Sequence, residues 1–180
     1  MSSGSCDSDC QPNGSKTKIH SDEARYVWTI EDFDFHEAKG ERLFSPPFSS
    51  VKNNQVKWYL ELYPNGKTDA KDSVSLFIRL NKLSSFENSK KIFAKATFLI
   101  LNSENEEEAE RSFDTVKEFS HPDIKKIGLG FKEFVKKDEK FRNKLLLNNT
   151  LTIRCEVKFS DMNNITSSPH QRDIDIEMPE

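Results

Sequence analysis

Through the middle of the chain, hydrophobic and polar residues alternate with a period of two, segment after segment. Residues 56–63, VKWYLELY, place Val56, Trp58, Leu60 and Leu62 on one side and Lys57, Tyr59, Glu61 and Tyr63 on the other. That is the pattern of a strand with one buried face. Asn53-Asn54 before it and Pro64-Asn65-Gly66 after it supply turn chemistry. Residues 73–80, SVSLFIRL, repeat the alternation, which predicts Val74, Leu76, Ile78 and Leu80 inward and Ser73, Ser75, Phe77 and Arg79 outward. Residues 150–159 alternate most cleanly, with Leu151, Ile153, Cys155, Val157 and Phe159 facing the core. Residues 92–101, IFAKATFLIL, are apolar on both faces, as in a strand covered on both sides.

Weaker signals fill the gaps. RYVWTI, from Arg25, is rich in β-branched and aromatic residues and predicts the first strand, with EDF after it as a loop or a turn of helix. Leu43, Phe44 and Phe48 flank Ser45-Pro46-Pro47, whose prolines confine that segment to a sheet edge or bulge. The acidic run 104–110 is expected to be a solvated connection, and residues 112–119 a poorly patterned strand. Phe131, Phe134 and Val135, at i, i+3 and i+4 behind Gly128 and Gly130, predict one short helix. Short strands with one helix and no repeating βα units specify an all-β, antiparallel sandwich. Residues 1–23, rich in Ser, Asp, Asn and Gly, are expected to be a disordered tail, residues 24–159 the domain, and residues 160–180 a flexible linker.

Composition narrows the chemistry. The 180 residues suit one domain, and a net charge of −3 provides no basic field for nucleic acid. No apolar run is long enough to span a membrane, and the N-terminus lacks the apolar core of a secretory signal. Cys6 and Cys10, followed only by His20, fall short of a zinc ligand set, and Cys155 reads as a buried hydrophobe. Gly128-Leu129-Gly130 resembles the start of a phosphate loop, but Lys132 and Glu133 occupy the place of the third glycine and no βαβ unit surrounds it. No metal or cofactor is expected. His20, His36, His121 and His170 lie in tails or loops without a nucleophile beside them, so the chain reads as a binding module rather than an enzyme.

Taken in order, YVWTIEDFDF, VKWYLELYPNG, VSLFIRL, FLILN, GFKEFVKKD and LTIRCEV resemble the meprin and TRAF-C homology (MATH) domain. Within that family they are most similar to the MATH–BTB subgroup typified by speckle-type POZ protein. The resemblance implies a TRAF-like eight-stranded antiparallel β-sandwich that binds short extended peptides. In that subgroup the domain recruits Ser/Thr-rich motifs, and a following BTB/POZ domain, absent from this chain, docks a cullin scaffold for ubiquitin transfer. A stand-alone binder, a TRAF-like scaffold and the non-catalytic domain of a deubiquitinase are the alternatives. No heptad pattern precedes Arg25, so a monomer is expected, in the nucleus, the cytoplasm or both.

Matching positions singly, the subgroup's Trp-Gly-Phe-Lys run corresponds to Leu129, Gly130, Phe131 and Lys132. Its groove tyrosines correspond to Phe77 and Ser73, its phenylalanine to Ala96, its arginine to Glu61, and the lysine before the tryptophan to Ile127. Gly128 and Gly130 are expected to admit a peptide backbone. Lost aromatic area and a reversed charge at Glu61 imply peptide binding with altered specificity.

Overall fold

The computed structural model describes residues 15–81, 91–102, 104–120, 128–161 and 165–169. In chain order the strands are β1 (Ser15–Ile19), β2 (Asp22–Ile30), β3 (Leu43–Phe44), β4 (Phe48–Ser49), β5 (Lys57–Tyr63), β6 (Ser73–Leu80), β7 (Ile92–Leu101), β8 (Glu107–Ser112), β9 (Lys117–Phe119), β10 (Gly128–Lys136), β11 (Leu151–Asp161) and β12 (Ile165–Pro169). Helix α1 (Phe33–Lys39) follows β2, and a π-helical turn, Phe141–Leu145, precedes β11.

The unit Ser21–Asn163 holds two antiparallel five-stranded sheets. One runs β10-β6-β5-β3, with β4 also on β5, and the other β2-β11-β7-β8, with β9 also on β7. This is the all-β sandwich that the alternation demands. The inward rows of β5, β6, β7 and β11 meet in one core, where Trp58, Leu60, Leu76, Ile78, Phe98 and Ile153 are fully buried. Each such side chain contributes about 2 kcal/mol through area removed from water. Trp58 joins the sheets, its ring 5.2 Å from Phe119 and 5.6 Å from Phe159.

Three expectations change. Residues 128–136 form a strand, not a helix, because Leu129, Gly130 and Phe131 pair with Ile78, Phe77 and Leu76 of β6. The register then shifts: Phe131 lies opposite Leu76 and Val135 opposite Val74, so four residue steps on β10 cover two on β6. This bulge brings Phe131 and Phe134, three apart, both against Phe98, which reproduces a helical spacing without a helix. The acidic run is likewise partly a strand: β8 pairs with β7 through its backbone, which needs no apolar side chains, and its exposed glutamates suit a sheet edge. Helix α1 is the one α-helix among the described strands and turns. The Phe33 N–H donates to the Asn149 carbonyl (2.9 Å) and the Asp34 N–H to Asn149 Oδ1 (3.0 Å), so a distant turn supplies the cap.

The end segments form a unit of their own, Met1–His20 with Asn164–Glu180. In it β1 pairs antiparallel with β12, Ser15 opposite Pro169 and Ile19 opposite Ile165, and Thr17 Oγ1 lies 3.2 Å from Ser167 Oγ. These strands replace parts of the expected tail and linker, because each finds a partner about 150 residues away that local composition cannot announce. Residues 22–23 and 160–161 extend β2 and β11, and residues 1–14, 162–164 and 170–180 lie outside the described residues.

Candidate functional site

Side chains on the outer face of the β10-β6-β5-β3 sheet line up across the strands. Phe44, Glu61, Phe77 and Gly130 stand opposite one another in a single row, and Tyr59, Arg79 and Gly128 form the next. Three of the residues singled out in the sequence thus come together by register alone.

Glu61 is the anchor of this row. The residue is 1 % exposed, and its carboxylate accepts hydrogen bonds from Arg42 Nη1 (3.0 Å), the Tyr63 hydroxyl (2.8 Å) and Arg79 Nε. Burial by itself would raise its pKa, but the bonds from Arg79 and Tyr63 and the charges of Arg79 and Arg42 outweigh that and hold it below the usual carboxylate range. The charge reversal expected at Glu61 therefore does not reach the surface, since two guanidinium groups surround it.

Beside it the Phe77 ring stands edge-on to Tyr63 at 6.2 Å, with Lys67 Nζ 5.0 Å from the Phe77 centroid and 5.4 Å from that of Tyr63. Tyr59 and the half-exposed Phe44 form a second pair at 6.0 Å, with Arg42 above Phe44 at 5.1 Å. The result is a flat face of rings and cations.

The two glycines serve the sheet itself. A Cβ at Gly130 would lie 2.1 Å from the Leu76 carbonyl oxygen, so only glycine permits β10 this close to β6. At Gly128 the vacant space is filled by the Arg79 side chain, 3.4 Å away. Neither leaves the open floor expected from the sequence. Lys132 is exposed, its ammonium 3.9 Å from Asp69, while its carbonyl accepts a hydrogen bond from Ser75 Oγ. Ser75 Oγ also accepts from the Lys67 N–H (2.8 Å), which ties the 64–72 loop to the β10 bulge.

Leu129, Ala96 and Ser73 do not reach the outer surface. Leu129 (2 % exposed) faces the core opposite Ile78, and Ala96 (2 %) lies inward on the other sheet opposite Val157. Ser73 is on the outer side of β6 but is buried beneath the loop before it, at the rim of a hollow of about 370 Å³ lined also by Asp72, Glu133 and Lys136. Phe131 lies on the core side too, half-exposed, 4.5 Å from the Phe113 ring and 4.3 Å beneath the Arg111 guanidinium. Ile127 lies outside the described residues.

Two further features were not legible as a site. Among the described residues β10 pairs with β6 alone, so no described strand covers its other edge. At the bulge that edge is touched by Arg111, whose Nη1 donates to the Glu133 carbonyl and to the Phe134 carbonyl (3.3 Å). Arg111 falls between the acidic run 104–110 and the weak pattern of 112–119, so no periodicity pointed to it. Tyr63 shared the outward parity of Glu61, which was the signal available for it.

A family model described as the MATH domain matches residues 25–157. The chain belongs to the MATH domain family. MATH domains are in general non-catalytic modules that bind protein partners.

Proposed function

We propose that this MATH domain holds a short extended peptide along the open edge of β10, with some of the peptide's side chains over Phe77 and Tyr63. The observation that carries this reading is the one-sided pairing of β10 beside the ring-and-cation face. An added strand gains main-chain hydrogen bonds from such an edge and specificity from alternate side chains. The likeness to the speckle-type subgroup supports recruitment of Ser/Thr-rich motifs, with the chain as the substrate-recognition half of a MATH–BTB adaptor for a cullin-RING ubiquitin ligase. Selectivity differs from that subgroup because the side chains at Leu129, Ala96 and Ser73 are buried, which leaves Phe77, Tyr63, Lys67 and Lys132 to read the ligand.

Fluorescence polarisation with a panel of apolar-x-Ser-Ser/Thr-Ser/Thr peptides tests the site. Binding that weakens about tenfold in Phe77→Ala is expected, because the ring is a central aromatic contact. Failure of every extended peptide to bind overturns the reading. Recovery of a cullin with the full-length gene product from cells tests the adaptor role separately, and its absence removes that role while leaving the peptide site.

A further inference from the structure

The outer side of β10 faces an excess of positive charge. Arg42 and Arg79 hold the buried carboxylate of Glu61, which also accepts from Tyr63, and Lys67 stands over the neighbouring Tyr63 and Phe77 rings. Lys57, exposed at the head of β5, adds a fourth cation with the same outward parity. Among the described residues just named, four cations accompany one carboxylate, in a chain whose net charge is −3. Nearer the bulge, Lys132 is offset by the highly exposed Asp69.

The opposite side of β10 has another character. Leu129 and Phe131 point that way, and Phe131 meets Phe113. A strand laid beside β10 sends successive side chains to opposite sides of the sheet. Half of them would meet the half-exposed rings of Phe131 and Phe113. The other half would emerge on the cation side, where Arg79 lies against Gly128 and Lys67 stands over the Phe77 ring opposite Gly130.

We propose that the peptide recognised here is an acidic one, an extended segment of a partner protein in which aspartate or glutamate alternates with apolar residues. Its carboxylates lie on the Lys67, Arg79 and Lys132 side and its apolar side chains on the Phe131 and Phe113 side. This inference rests on the peptide-binding reading above and names the ligand class for that site.

The test uses the full chain and fluorescein-labelled nonapeptides that alternate valine with aspartate, serine, phosphoserine or lysine. The aspartate peptide is expected to bind about tenfold tighter than the serine peptide at low ionic strength, the scale of a few exposed ion pairs. That advantage should shrink as salt screens the charges. Lys67→Glu combined with Lys132→Glu, both surface changes, should erase the preference and favour the lysine peptide while the melting temperature stays within a few degrees of the parent. Equal binding of the serine and aspartate peptides at all salt concentrations overturns the acidic inference and leaves peptide binding intact. Tightest binding of the phosphoserine peptide overturns the assignment to carboxylates. If no nonapeptide and no Ser/Thr-motif peptide binds, the peptide-binding reading itself fails.

Discussion

Gly130 lies directly opposite Phe77, so close that a methyl group on it would fall 2.5 Å from the Phe77 Cα. Backbone cannot move aside as a side chain can, so Gly130→Ala should cost about 3 kcal/mol of stability by overpacking. Gly128→Ala meets only the Arg79 side chain at 3.4 Å and should cost less than about 1 kcal/mol. Urea denaturation of the two variants measures the difference, and equal stabilities would contradict this view of the strand pair.

Glu61→Gln keeps the shape of the side chain but leaves the mostly buried Arg79 without its carboxylate. A loss of about 2 kcal/mol is expected, the scale of a hydrogen bond to a charged group. Far-UV circular dichroism during thermal unfolding would report it as a lowered Tm.

Acid should destabilise the domain through Glu61 and Glu37. Burial alone would raise the Glu37 pKa, but hydrogen bonds from Arg142 and Lys137 and their charges bring it below the ordinary 4.5. A group whose folded value is depressed contributes stability that is present above its unfolded value and lost as pH falls through the folded one. Urea midpoints should therefore hold at neutral pH and fall below about pH 4.5, the ordinary carboxylate value. Glu37→Gln should flatten that acid limb. An acid limb unchanged in Glu37→Gln would remove Glu37 from this role.

Leu129→Trp, which restores the residue of the speckle-type motif, should not build a groove. Leu129 is packed against Ile78 in the core, so the indole should cost about 2 kcal/mol and leave peptide affinity unimproved. Denaturation and polarisation on the same variant separate the two effects.

Cys155 is fully buried, and burial pushes its thiol far above the ordinary range. In a Cys6→Ser/Cys10→Ser background, Ellman's reagent should find no reactive thiol until denaturant opens the core. Prompt labelling of the native protein would place Cys155 elsewhere.

Much of the scaffold was legible because its strands obey strict alternation: every inward residue from Leu151 to Phe159 is buried as the pattern requires. Parity also placed Glu61, Phe77 and Tyr63 on one face. It could not show that Glu61 would be enclosed, since Arg42 reaches it from the segment before β3 and Arg79 from β6. Nor could it show β10, where two extra residues disguise a strand as a helical stripe, or β8, which pairs through backbone atoms while its side chains stay charged. Register across strands decides both, and register is a long-range property.

The cap that Asn149 places on α1 bears on how the chain reaches its native state. Seven residues are too few to hold a helix in water, and its first amide groups wait for a turn 115 residues further along the chain. Asn148 and Asn149 both take positive φ (49° and 61°), so the turn must adopt its left-handed form before the cap exists. Helix α1, though near the front of the sequence, should thus be among the last elements to become protected during refolding. On the ribosome it should stay unformed until the turn at Asn148-Asn149 has emerged.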